Sequence, residues 1–387
     1  MVATGSRLKG LHCGGCGTDV TPEPPVGTCP SCGGALVATY DLDSFPAREW
    51  WRSLCSRPAS LWRFRELLPV RDDSHIVTLG EGGSPILDLG RLRQGGDLHL
   101  LLKDDGGLPT GSFKARGMAV AVSRAWELGL SSLFVPSAGN AGVALAAYAA
   151  RARIRARIYL PENTPQPMQR ACARYGARVV MVPGTIRDAG ERARREEAGQ
   201  GSFDVSTLRE PYRAEGKKTM GFEIAYALEA DGLPDAVVYP AGGGTGLLGM
   251  HLAFEQLRSL GLMDRVPRLL AVQPEGCAPL VRALREGAAR ITPWESPRTV
   301  APGLLVPSPF ASERVLEAVR ASGGGGTTVS DEAILEAVDT LGRQYGVSVS
   351  PEGAAPFAAL PRLLEEGRLR PGEKVLLYNT GSGIPFL

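Results

Sequence analysis

Three groups of residues in this chain could carry chemistry: one lysine behind a glycine-rich turn, four paired cysteines, and several glycine runs that follow apolar segments. Lys114 lies in Pro109-Thr110-Gly111-Ser112-Phe113-Lys114-Ala115-Arg116-Gly117, between an apolar run ending at Leu102 and an amphipathic stretch over 118–128. That spacing predicts a turn entering a helix at Lys114. A helix N-terminus presents unpaired amides and a positive dipole end, which attract anions and lower a nearby amine's affinity for its proton. A lysine so placed is a nucleophile suited to a Schiff base with a carbonyl. Standing alone it would read as a solvated first-turn residue, so the other motifs decide.

The cysteines read Cys13-x2-Cys16-x12-Cys29-x2-Cys32, with Gly14, Gly15, Gly17, Gly33 and Gly34 around them. Two such knuckles can set four thiolates tetrahedrally about zinc, and four sulfur ligands leave no open position, so the metal would be structural. A redox pair is the rival reading, without a βαβ context to support it. A zinc ribbon could also bind nucleic acid, but residues 1–40 lack a dense Lys/Arg patch. Cys55, Cys172 and Cys277 are scattered and do not suggest a disulfide scaffold.

The glycine runs come next. In Leu79-Gly80-Glu81-Gly82-Gly83-Ser84-Pro85 the backbone can approach a ligand closely, and Ser84 offers a hydroxyl; a satisfied turn serine is the competing reading. Ser137-Ala138-Gly139-Asn140 joins a strand at 132–136 to a helix at 141–150, an anion-binding arrangement in which Asn140 alone would pass for a cap. Gly242, Gly243, Gly244, Thr245 and Gly246 join a strand at 236–239 to a helix at 247–260, where converging amides suit a phosphate. No Gly-Lys-Ser/Thr follows, and no third glycine completes a dinucleotide fingerprint. The last strand, at 375–378, opens onto Asn379-Thr380-Gly381-Ser382-Gly383.

The elements that must position these groups follow from the pattern. The chain has 387 residues, 43% apolar and 22% charged, with net charge +2. These values suit two globular domains plus a small appendage and give no electrostatic reason to expect nucleic acid or a membrane. The polar start over 1–10 shows no signal peptide, and the small-apolar run at 141–150 is too short to span a bilayer, so a cytoplasmic location is expected. Strands at 98–102, 132–136, 154–160, 178–182, 203–206, 236–239, 269–273 and 375–378 alternate with helical segments, including 168–175, 186–198 and 216–230. Such alternation argues for α/β architecture with parallel sheets and crossover helices. Trp50, Trp51, Trp62 and Phe64 interleave with Arg48, Arg52, Arg63 and Arg65, which reads as a helical connector with aromatics inward and arginines outward. The glycine run at 323–326 reads as a flexible surface loop.

The strings PTGSFKARG, LGEGGSP, SAGNAG (137–142), GGGTG (242–246) and NTGSG (379–383) together resemble the threonine synthases and, more broadly, the tryptophan-synthase-β-like, fold type II pyridoxal-phosphate enzymes. The resemblance implies two open parallel-sheet domains with the cofactor at their interface, preceded by a small zinc ribbon of a kind that occurs in threonine synthase-like chains. It divides the chain into a ribbon at 1–40, a connector at 41–77, a large domain at 78–113 and 183–387, and a small inserted domain at 114–182. It makes Lys114 catalytic and cofactor-bearing. Asn140 would bond the cofactor's 3′-oxygen, and Gly242, Gly243, Gly244, Thr245 and Gly246 would hold its phosphate. Thr380 would face its ring nitrogen. Ser84 and the amides of Ser137, Ala138 and Gly139 would meet the substrate, and Cys13, Cys16, Cys29 and Cys32 would hold zinc. The implied reaction is a carbon–oxygen lyase's conversion of O-phospho-L-homoserine and water to L-threonine and phosphate, by γ-elimination and β-addition in threonine biosynthesis. A homodimer acting on a small amino acid is expected.

The chain also departs from the family. Leu108 and Ala115 flank the lysine motif where asparagine and aspartate are common, and Glu210 stands where a family asparagine serves the phosphate end of the substrate. The ending Ile384-Pro385-Phe386-Leu387 is apolar where a polar one is expected. A carboxylate at Glu210 would repel phosphate without an intervening cation. These departures leave open a paralogue performing β-replacement or β-elimination on a phosphoserine-like amino acid, in the manner of cysteate or diaminopropionate synthases. A zinc-ribbon binding protein with a vestigial enzyme body is a third reading, which predicts no cofactor uptake.

Overall fold

The computed structural model describes residues 5–92 and 97–384. The extreme ends singled out above, residues 1–4 and 385–387, lie outside the described residues. The chain forms two compact units, Met1–Gly83 with Lys114–Thr219, and Ser84–Phe113 with Met220–Leu387. This division differs from the one read off the sequence, in that the ribbon and connector join the first unit and the inserted segment runs past residue 182 to Thr219.

In the first unit, β1 (Leu8–Cys13), β2 (Asp19–Val20) and β3 (Leu36–Tyr40) form an antiparallel sheet ordered β2-β1-β3. The connector holds one short helix, α1 (Ala47–Ser53), followed by 3-10 turns, and it buries Trp50, Trp51, Trp62 and Phe64. Arg48 and Arg52 face outward as expected, but Arg63 turns inward to donate to the carbonyls of Leu54 and Arg57. Helix α2 (Lys114–Glu127) is rich in alanine and buried along most of its length. The main sheet comprises β6 (Ser132–Pro136), β7 (Arg155–Pro161), β8 (Arg178–Val182) and β9 (Phe203–Asp204), ordered β8-β7-β6-β9 and parallel throughout. Crossover helices α3 (Asn140–Ala152), α4 (Gln166–Arg174) and α5 (Ile186–Glu197) connect its strands. Because β9 pairs with β6, the sheet itself carries this unit beyond residue 182.

The second unit is built on β4 (Ile86–Leu92), β5 (Leu98–Asp104), β10 (Ala236–Pro240), β11 (Arg268–Pro274), β12 (Gly325–Val329) and β13 (Lys374–Asn379). Their order is β12-β11-β10-β13-β5-β4, all parallel except the antiparallel edge strand β4. Leu100, Leu102, Val238, Val272, Val375 and Leu377 are fully buried within one core cluster. That is why the central strands read as continuous apolar runs: helices cover both faces of a parallel sheet. Two features differ from the sequence reading. Strand β4 half alternates and carries a register shift at Gly90, so it gave no clean signal. The glycines at 323–326 are not a flexible surface loop: Gly325 and Gly326 pair with Leu270 and Ala271, and a Cβ on Gly324 would lie 2.0 Å from the Leu269 carbonyl oxygen. The run packs tightly because nothing larger fits there.

Candidate active site

The segment before Lys114 is fixed by the C-terminal end of β13. Phe113 N–H donates to the Thr380 carbonyl at 3.0 Å, Ser382 N–H to Gly111 at 2.9 Å, and Ser112 bridges Gly381. The Asn379 side chain donates to Asp104 at 2.7 Å, and the Asp105 amide donates to the Asn379 carbonyl at 3.0 Å. Thr110 adopts φ 65° beside Gly111 at φ 71°, a left-handed pair that reverses the chain just ahead of α2. Within this unit, then, two motifs far apart in sequence are stitched together, and Thr380 is 5% exposed. Lys114 itself is the first residue of α2 and half-buried.

In the first unit, Gly139 holds φ 137° ahead of α3, with Asn140 as that helix's first residue. The Ser137 hydroxyl accepts from the amides of Gly139 at 3.0 Å and Gly142 at 2.9 Å, while the Ser137 amide donates to Tyr159 at 3.0 Å. Of the three amides expected to meet a substrate carboxylate, those of Ser137 and Gly139 are therefore engaged, the first with β7 and the second within the loop. The Ala138 amide has no backbone acceptor among the described residues.

Helix α6 (Tyr212–Ala227) begins in the same unit. Glu210, 1% exposed, caps it by accepting from the amides of Tyr212 at 2.7 Å and Arg213 at 3.1 Å. Burial pushes the Glu210 carboxyl up to about 7, against the opposing pull of Arg213, the two amides and Lys217. Arg213 is 1% exposed; it donates to the Val205 carbonyl at 2.7 Å, and its Nε has no partner among the described residues. Lys217 is 2% exposed, and burial, Arg213 and Lys114 hold its ammonium well below the ordinary lysine range. Two buried basic side chains thus lie near one carboxyl group already committed to a helix cap.

In the second unit, helix α7 (Thr245–Ser259) follows the glycine run, with Gly244 in the left-handed region at φ 71°. The first amides of a helix lack intrahelical acceptors. Thr245 is 4% exposed, and its hydroxyl has no partner among the described residues. A Cβ on Gly246 would lie 2.1 Å from the Tyr239 hydroxyl oxygen, so α7 starts directly over that ring. Gly242 is confined in the same sense, since a Cβ there would lie 2.6 Å from the Gly303 carbonyl oxygen, while Gly243 completes the turn. Ser84, a sequence candidate for substrate contact, is otherwise occupied. Its hydroxyl donates to Asp105 at 2.5 Å and accepts from Lys103 at 2.6 Å, and Lys103 pairs with Glu223 at 2.7 Å.

The cysteines form a separate centre. The Sγ atoms of Cys13, Cys16, Cys29 and Cys32 all lie within 4.8 Å of one another, with Cys13 to Cys32 at 3.5 Å and Cys16 to Cys29 at 3.6 Å. Sulfurs about 2.3 Å from a tetrahedral ion would stand about 3.8 Å apart.

Sequence reasoning did not single out Arg213, Lys217 or the Lys103–Glu223 pair as functional. The signal for the first two lies in the string from Glu210 to Thr219, where two basic residues follow the acidic one at helical spacing.

Known proteins resemble the chain over most of its length. Residues 77–381 match the family model described as pyridoxal-phosphate dependent enzyme. The chain is 35% identical over 375 residues to a threonine synthase of Methanocaldococcus jannaschii, covering 96% of this chain and 92% of that one. It is 36% identical to a threonine synthase of Methanosarcina acetivorans, with 96% and 91% covered. Among solved structures, a T.th. threonine deaminase superposes with a TM-score of 0.64 at 32% identity, covering 77% of this chain and 92% of that chain. With a lysine at the head of a buried helix, a glycine turn ending on a buried threonine, and relatives matching almost end to end, the chain belongs to the threonine synthase family of pyridoxal-phosphate-dependent enzymes.

Proposed function

We propose that the protein converts O-phospho-L-homoserine and water to L-threonine and phosphate. The observation that carries this is the match to two archaeal threonine synthases over 96% of the chain. The residues present fit the cofactor: a buried Thr245 hydroxyl at a helix start, with no partner among the described residues, is a polar group awaiting an acceptor or donor. Gly242, Gly243, Gly244, Thr245 and Gly246 would hold the cofactor phosphate and Thr380 its ring nitrogen, while Lys114 would carry the cofactor and Asn140 would bond its 3′-oxygen. Pyridoxal phosphate, when bound, supplies a carbonyl for amine attachment and a sink for electrons.

The chain's own groups do the rest. Lys114 Nζ carries protons to and from the substrate carbons, a role that needs an amine able to lose its proton near neutrality. The Ala138 amide, at the approach to α3, is the donor left for a substrate carboxylate. Arg213 and Lys217 suit the phosphate end of the substrate. An arriving dianion would favour the charged form of Lys217, whose ammonium is otherwise disfavoured by burial and by its cationic neighbours. The thiolate quartet would hold a structural zinc ion, and a homodimer is the proposed assembly.

Glu210 favours a second reading, a paralogue performing β-replacement on a phosphoserine-like substrate. Offering the cofactor-loaded protein O-phosphohomoserine and O-phosphoserine separately decides between them: threonine from the first supports the proposal, and turnover of the second alone refutes it.

A further inference from the structure

The cysteine ribbon reaches the helix that carries Arg213 and Lys217 through Tyr40, and its loop meets the segment just before that helix and the neighbouring α2. Tyr40, the last residue of β3, donates its hydroxyl to Glu215 at 2.6 Å, and Glu215 pairs with Lys218 at 2.6 Å. Lys218 Nζ lies 3.9 Å above the Tyr40 ring. Gly27 of the ribbon loop sits against the segment that leads into α6, where a Cβ would lie 2.6 Å from the Arg209 carbonyl oxygen. Glu23, in that same loop, pairs with Arg124, whose guanidinium lies 5.7 Å from the centre of the Tyr212 ring.

At about 100° per residue, Glu215 and Lys218 project roughly 150° around the helix from Arg213 and Lys217. The remaining side, carrying Gly216 and Thr219, meets α2. A Cβ on Gly216 would lie 2.1 Å from the Arg116 carbonyl oxygen, and Arg116 donates to the Thr219 hydroxyl at 3.0 Å. The ribbon and α2 thus grip two faces of α6, and the third carries the two buried cations. Glu215 and Lys218 are 1% and 2% exposed, and drawing one away from the other would separate a buried ion pair.

We infer that the ribbon positions α6, and that Tyr40 and Gly27 are positioning residues for an anion site at Arg213 and Lys217. The inference rests on the reading of those two cations as the phosphate end of the substrate site. On this account the ribbon governs affinity for the phosphorylated substrate and leaves the cofactor's attachment alone.

The test is calorimetric binding of inorganic phosphate to the cofactor-loaded full chain, as wild type, Tyr40→Phe, Gly27→Ala and Arg213→Gln. Tyr40→Phe leaves the Glu215–Lys218 pair intact. It should weaken phosphate about threefold to tenfold, since small misplacements of a binding group are costly. KM for O-phosphohomoserine should rise in parallel, with kcat, cofactor absorption and melting temperature unchanged. Gly27→Ala should act in the same direction. Unchanged phosphate affinity in both ribbon variants, with loss in Arg213→Gln, would overturn the inference while sparing the anion site. Wild-type affinity in Arg213→Gln, or no phosphate binding by the wild type, would overturn the anion site and this inference with it.

Discussion

Replacing Glu210 with glutamine removes a titrating group and keeps an oxygen acceptor for the Tyr212 amide, so the effect separates charge from capping. Burial raises this carboxyl from its ordinary 4.5 to about 7, and Arg213, the amides of Tyr212 and Arg213, and Lys217 only partly oppose it. The folded state therefore holds the proton more tightly than the unfolded chain. The stability this contributes is fully present below pH 4.5 and is lost as pH rises through about 7. A rise of that size corresponds to about 3 kcal/mol at most between the two limits. Urea unfolding of wild type and Glu210→Gln at pH 5 and pH 8 reads it directly. The variant should gain on the wild type between the two pH values by a large part of that amount. Phosphate binding should follow the same sense, with Glu210→Gln binding more tightly than wild type at pH 8 and the two converging near pH 5. A stability difference independent of pH would refute the reasoning, because it would mean that Glu210 is ionised or neutral throughout.

Three further outcomes are expected. Lys114→Ala should lose both turnover and the visible absorption that depends on the lysine holding the cofactor; a wild-type spectrum in that variant would contradict the assignment. Thr245→Val should weaken cofactor binding by about 10-fold to 100-fold, the effect of a hydrogen bond of about 1.5–3 kcal/mol to a charged group, measured by titrating the apoprotein with pyridoxal phosphate. Atomic absorption should find about one zinc per wild-type chain. Cys16→Ser should lower both the zinc content and the melting temperature.

Much of the fold was legible because the central strands are buried on both faces, so β6, β10 and β13 stand out as short apolar runs bounded by turn residues. Lys114 was placed correctly at a helix start because the glycine turn and the alanine-rich segment after it are both local signals. What escaped depends on partners far away in sequence. Ser84 looks like a free hydroxyl until β5 brings Lys103 and Asp105 against it. Ser137 and Gly139 look like open donors until the loop folds onto Tyr159 and onto itself. Strand β12 was hidden by its own glycines, which carry no periodicity; Thr327, Thr328 and Val329 were the β-branched hint. The start of α6 is announced by Glu210 and Pro211, an acidic cap followed by proline, yet the apolar pattern alone puts it at Gly216 instead of Tyr212. The grip of the ribbon on α6 has no sequence signal at all, since Tyr40 and Glu215 are 175 residues apart.

The most direct test of the central claim is to incubate the cofactor-loaded protein with O-phospho-L-homoserine and quantify threonine and phosphate together. Equal formation of both, lost in Lys114→Ala, is the predicted result. Neither product, from protein that shows the lysine-dependent absorption, would contradict it.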